Sequence, residues 1–157
     1  MGVFTNILLP VDGAATSLRA ARHGIQLAKI LAAKVTVLTV STPWAAYFAR
    51  ELAVVIPEVV IPKSEYDYKR ETTAACILQN VVTEARLAGV QVKSLHRCHR
   101  DPYHVIIATA EHEGCDLIVM GSDRDTGLIA TLLGSEIMKV MTHTSVPVLI
   151  YRHRLTS

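Results

Sequence analysis

Short, nearly continuous apolar runs alternate along this chain with longer stretches in which apolar residues return every three or four positions. Asn6-Ile7-Leu8-Leu9-Pro10-Val11-Asp12 is the first run, and Gly13 follows it. Such a run suits a strand buried on both faces of a parallel sheet. Thr16 or Ser17 is placed to cap a helix whose Leu18, Ala21, Ile25, Ala28 and Ala32 share one face. The β-branched stretch from Lys34 to Val40 predicts a second strand. A long helix is expected from about Glu65 to Ala88, with Ala74, Leu78, Val81, Ala85 and Ala88 on one face and Gly89 as its stop.

Val90 to Cys98 reads as a third strand. Pro102 then opens a helix at a favoured first-turn position, with Val105, Ala108 and His112 on one side and Gly114 at its end. Cys115 to Gly121 is a fourth, strongly apolar strand. A helix beginning at Gly134-Ser135 and running to about Thr142 leads to a last strand, Val146 to Tyr151. Five strands alternating with four helices predict an α/β fold in a single domain over residues 1–157, with right-handed crossovers and a mainly parallel sheet. Between Thr42 and Ser64 the period fails, and Pro43, Pro57 and Pro62 fall there together with Trp44, Tyr47 and Phe48. Those aromatics read equally as a lid or partner surface and as a satellite core under a loop.

Composition narrows the class. Of 157 residues, half are apolar and 19% charged, a globular balance with a generous core. A formal charge of +2 with scattered basic residues gives no stripe for nucleic acid. No run reaches the ~18 apolar residues of a membrane span. Met1 to Asn6 lack a secretory signal's basic start, so a cytoplasmic protein is expected. Cys76, Cys98 and Cys115, an odd set without paired spacing, read as small core residues. His96, Cys98, His99 and His104 invite a metal reading, but a structural zinc site takes four converging ligands and ordinary strand-end histidines are the expectation. No Ser–His–Asp set or general base is legible, so no catalytic residue and no enzymatic function are assigned.

In open α/β sheets a ligand sits beyond the carboxyl ends of the strands, where strand order reverses. Asp12, Val40 and Gly121 fall at such ends. Asp12 could accept hydrogen bonds from a ribose or base, or close a turn with Gly13. Gly121-Ser122-Asp123-Arg124-Asp125-Thr126-Gly127, then six residues, then Gly134-Ser135, offers backbone amides and a helix start to an anion. The same residues serve as a turn and cap. They lack the Gly-Lys-Ser/Thr ending of a P-loop.

The stretch from Asp116 to Ser122, Leu132-Leu133-Gly134-Ser135, and Val146-Pro147-Val148-Leu149-Ile150 resemble the carboxyl-terminal signature of universal stress proteins. Ile7 to Asp12, Val35 to Val40 and Asp101-Pro102 are similar to that family's first two strands and third helix start. The resemblance implies an adenine-nucleotide alpha-hydrolase-like sheet, ordered 3-2-1-4-5 with helices on both faces. It also implies a homodimer through the last strand, Val146 to Tyr151, and a stress-response role with ATP or a related adenine nucleotide, with or without Mg2+, and a protein partner still to be identified. Nucleotide-binding members carry a phosphate pattern of Gly, two residues, Gly, nine residues, then Gly-Ser or Gly-Thr. Carried over, Asp12 and Val40 would hold adenine and ribose and Gly121, Gly134 and Ser135 would face the phosphates, with Pro10, Met120 and Arg124 also among the nucleotide-binding positions. The match departs at Arg124, which replaces the second glycine of the phosphate pattern, and at Ile137, which replaces a hydroxyl residue. These departures leave a second expectation open: a nucleotide-free dimeric interaction module of the same family.

Overall fold

A computed structural model describes residues 2–51, 61–122 and 130–152, with the side chains at 48–51 and 130–135 outside the description. The chain runs β1 (Asn6–Pro10), α1 (Ala15–Leu31), β2 (Lys34–Ser41), α2 (Trp44–Glu51), α3 (Lys63–Leu87), β3 (Val92–Cys98), α4 (Pro102–His112), β4 (Leu117–Ser122), α5 (Ala130–His143) and β5 (Val148–Arg152). The five strands form one parallel sheet in the order β3-β2-β1-β4-β5. That is the predicted sheet. Among the described residues, no helix is long and apolar enough to cross a membrane.

Alternation along the strands divides the core between two faces. Ile7, Leu9, Val35, Val37, Leu117 and Val119 point towards Ala21, Ile25, Leu78 and Val81, hence towards α1 and α3. Leu8, Leu38, Ile118 and Met120 point the other way, onto Ile106, Ala110, Ile137 and Val140 of α4 and α5. Each large side chain so buried contributes about 1.5–3 kcal/mol relative to exposure. Both faces of the central strands are therefore apolar, which is why their sequences read as continuous runs. The polar residues among them are paired: Thr36 Oγ1 donates to Asn6 Oδ1 at 3.1 Å, and Asn6 Nδ2 donates to the Glu113 carbonyl at 3.0 Å.

Several local expectations are corrected. The segment around Trp44 contains a fifth helix, α2, where proline spacing suggested an irregular stretch. Trp44 Nε1 donates to the Ile61 carbonyl, and the Tyr47 ring lies 5.3 Å from that of Tyr66 on α3, while the Phe48 side chain lies outside the described residues. In α4 the buried residues are Ile106, Thr109 and Ala110; Ala108 and His112 are exposed. The error is one of phase, since both sets have helical spacing and only docking decides between them. The N-cap of α1 is Ala14, and Thr16 and Ser17 are buried inside the first turn. Cys115 is buried as expected, but Cys76 and Cys98 are exposed, on a helix flank and at the end of an edge strand. The last strand starts at Val148, two residues later than its sequence suggests.

Register explains where the sheet opens. The Val11 N–H donates to the Leu38 carbonyl of β2 at 2.8 Å. Alternation then turns the Pro10 nitrogen towards β4, and proline has no N–H to offer there. The β1–β4 ladder pairs Ile7 with Leu117 and Leu8 with Ile118, and ends. Beyond it the two strands part.

At the opposite, amino-terminal edge, Asp116 ties β4 to the chain entering β1. Its carboxylate accepts the Thr5 N–H at 2.8 Å, the Asn6 N–H at 3.0 Å and the Thr5 hydroxyl at 3.0 Å. Partial burial raises its pKa, but these hydrogen bonds outweigh burial and hold the carboxyl below its ordinary range. A folded-state pKa below the unfolded value gives stability that is present above about pH 4 and lost as pH falls through the folded value. Asp116→Asn should therefore destabilise the protein by about 1–2 kcal/mol at pH 7, and the deficit should vanish near pH 2. Urea denaturation at the two pH values checks this.

Candidate functional site

The parted ends of β1 and β4 form one wall of a cleft of about 130 Å³. Pro10, Val11 and Asp12 enter it from β1 and the following turn, Leu38 and Val40 from β2, and Met120 and Gly121 from β4. Pro102 and Ile106 of α4 and Ile137 of α5 close the far side, while Ser17 and Glu136 add polar atoms. The space is smaller than the ~300–1,000 Å³ common for whole-ligand pockets. It suits the flat, largely apolar part of a ligand.

Asp12 occupies the turn after β1 in two roles at once. Its Oδ1 accepts the Ala14 N–H at 2.9 Å and the Ser17 hydroxyl at 2.7 Å, and Ser17 Oγ in turn accepts the Asp12 N–H at 3.2 Å. Gly13, at φ +84°, supplies the left-handed residue that this tight turn demands. The turn reading of Asp12 is thus correct, and the same turn holds the carboxylate at the rim of the cleft. Ser17 contributes this brace rather than the helix cap that its position suggested.

Gly121 has a packing reason for lacking a side chain. A Cβ there would lie 2.6 Å from the Thr16 carbonyl oxygen and 3.0 Å from Ala20 Cβ, because α1 crosses β4 at this point. The residue lines the cleft and also admits α1, so its glycine character is not by itself a sign of anion binding.

Of the positions singled out from sequence, Pro10, Asp12, Val40, Met120 and Gly121 come together in this cleft. Arg124 lies outside the described residues. Gly134 and Ser135 sit in α5, which begins at Ala130, so they do not open that helix as predicted. The expectation rested on the glycine as a boundary signal, but a glycine inside a helix costs only about 1 kcal/mol. Ile137 is buried and lines the cleft, placing a hydrocarbon where a hydroxyl was the alternative.

Glu136 escaped the sequence reading. Its Oε2 accepts the Tyr103 N–H at 3.0 Å, in the first turn of α4. The available signal was a single acid among apolar residues directly after Gly134-Ser135. Ser17, five residues beyond Asp12, was noticed only as a cap. Pro102 and Ile106 are joined to the site by docking of α4, which no local pattern announces.

On the other side of Asp12 and Val40 lies an open depression lined by Ser41, Tyr47, Tyr66, Lys69 and Arg70. Ser41 Oγ lies 2.6 Å from His96 Nε2 at its edge. Burial and the Arg70 guanidinium push the His96 pKa below its ordinary value, so the imidazole is neutral at pH 7. The neighbouring histidines have separate contacts: His99 Nδ1 accepts the Asp101 N–H at 2.9 Å, and His104 stacks on Tyr103 at 4.1 Å. Among the described residues, no three His, Cys, Asp or Glu side chains are arranged around a common metal position.

A doubly wound parallel sheet with its concave site at the β1–β4 switch point defines the structural class. Residues 4–152 match the family model described as the universal stress protein family. The universal stress protein YxiE of Bacillus subtilis is 31% identical over 151 residues, covering 96% of this chain and all of that one. The solved structure of MJ0577, a universal stress protein of Methanocaldococcus jannaschii, is 27% identical with a TM-score of 0.75, covering 97% of this chain and 98% of that one. A universal stress protein solved in complex with cAMP is 22% identical with a TM-score of 0.64, covering 95% of this chain and 97% of that one. The chain belongs to the universal stress protein family.

Gly121→Ala tests the double duty at the cleft wall. The added methyl meets backbone rather than a yielding side chain, so a loss of about 1–3 kcal/mol is expected, measured by chemical denaturation. Gly89→Ala, at a solvent-open helix end with φ +76°, is the comparison for strain without crowding.

Proposed function

We propose that this protein is a homodimeric stress-response module that binds an adenine nucleotide at the β1–β4 cleft and uses it as a signal rather than a substrate. The observation that carries the reading is the convergence of Pro10, Asp12, Val40, Met120 and Gly121 on one largely apolar cleft at the switch point. Apolar walls from Val40, Ile106 and Met120 suit a base, and the braced Asp12 carboxylate suits a ribose hydroxyl or base amine. The family member in complex with cAMP shares this fold and supports the ligand class. A nucleotide would act through differential affinity for two conformations, one presented to a protein partner in the cytoplasm.

The second reading, a nucleotide-free interaction module, is favoured by Ile137, which places hydrocarbon on the cleft wall. Thermal unfolding with AMP, cAMP and ATP, each at millimolar concentration, separates the two. A ligand at 100 times its Kd stabilises by about 2.7 kcal/mol, so a shift of several degrees is expected, and no shift with any of the three supports the interaction module. Arg124→Gly then reports on that side chain: gained affinity marks a steric block, lost affinity a phosphate contact.

For the dimer, β5 pairs only with β4 in the described sheet and leaves its other edge open, with Leu149 exposed. Open apolar edges invite pairing with a second chain. Leu149→Lys should convert the dimer to a monomer in sedimentation velocity while leaving the far-ultraviolet circular dichroism unchanged. A wild-type monomer at micromolar concentration would defeat the proposal.

A further inference from the structure

We propose that Glu136 sets which adenine compound the cleft accepts, admitting a nucleoside or a singly charged nucleotide and rejecting the triphosphate. The inference deepens the adenine reading above and rests on it. Two of the described residues lining the cleft, Asp12 and Glu136, are ionisable, and both are acids; none of the described lining residues is a lysine or an arginine. The remaining described walls are mostly hydrocarbon and offer no cationic partner to a second negative charge brought in between them.

Glu136 also fills the place where an incoming anion would find donors. The first amides of a helix lack intrahelical partners and point outward, which makes them ready receivers for a phosphate oxygen. In α4, Pro102 has no N–H, the His104 N–H turns back to the Asp101 carbonyl at 3.2 Å, and the Tyr103 N–H is held by Glu136 Oε2 at 3.0 Å. The anion at this helix start is thus the protein's own.

Among the described residues, Lys139 pairs with this carboxylate: its Nζ lies 3.4 Å from Glu136 Oε1 and 5.4 Å from the centre of the Tyr103 ring. The Lys139 side chain is half-exposed and does not line the cleft. A phosphate chain lying in the cleft is therefore bordered by the carboxylate and not by the ammonium group. Adenosine adds no charge and meets only the apolar walls and Asp12.

Isothermal titration calorimetry with adenosine, cAMP and ATP on the wild type and on Glu136→Gln provides the test. Glutamine keeps an oxygen for the Tyr103 N–H and removes the charge, and matching melting temperatures would show that the fold is retained. In the wild type, adenosine and cAMP should each bind more tightly than ATP, by about tenfold or more. In Glu136→Gln, ATP should gain a similar factor while adenosine stays nearly unchanged. Raising the salt concentration should narrow the wild-type gap, because it screens the repulsion. Wild-type ATP binding as tight as that of adenosine, or an unaltered preference in Glu136→Gln, overturns the role of Glu136 and leaves the adenine site standing. Failure of all three compounds to bind the wild type overturns the adenine reading itself.

Discussion

The separation of β1 from β4 beyond Leu8 and Ile118 is the constraint on which the rest of the structure depends. Two features produce it. Pro10 cannot donate a ladder hydrogen bond towards β4, and the order of the strands sends the chain from β1 to one side, to β2, and from β4 to the other, to β5. Neither feature alone makes a cleft. Together they leave the carboxyl ends of two central strands unpaired with each other but rigidly held, since β1 stays paired with β2, β4 with β5, and both are buried on two faces a few residues earlier. Helix α1 supports the same place from behind, passing so close to Gly121 that no side chain fits there.

The chemistry of the cleft follows from what surrounds this opening. The β1 turn delivers a carboxylate that is fixed by Ser17 and Ala14, so it presents a directed acceptor instead of a mobile charge. Opposite it, α5 delivers Ile137 and Glu136, a hydrocarbon and a second carboxylate. The described part of the cleft thus joins apolar walls to two acids. Membership of the universal stress protein family, shown across residues 4–152, fixes the scaffold. On the proposed function, ligand preference is decided by the few side chains that this scaffold brings to its open end.

Much of the fold was legible along the chain because central parallel strands leave a strong trace. Ile7, Leu8 and Leu9 are all completely buried, and so an unbroken apolar run marks β1. The same logic placed β2 and β4. Helices fared less evenly. In α3 the face through Ala74, Leu78, Val81 and Ala85 was read correctly, but in α4 the small residues Ala108 and Ala110 fit either side of the helix, and only packing against Ile118 and Met120 selects Ala110. The α5 start was misplaced because Gly134 resembles a boundary yet lies within the helix. Cys76 and Cys98 show the same limit, since exposure of a small residue depends on neighbours distant in sequence.

By itself, then, the order of residues determined the strand–helix alternation, the family resemblance and the strand-end positions of Asp12, Val40 and Gly121, because each of these is written in local pattern. Tertiary structure alone decided that Pro10, Asp12, Val40, Met120 and Gly121 share one cleft and that α4 closes it. It alone brought Glu136 to the Tyr103 amide, a contact between residues 33 positions apart. The reason is geometric: hydrophobic period sets which face of an element is buried, whereas the neighbours that face meets are set by the order and docking of the whole sheet.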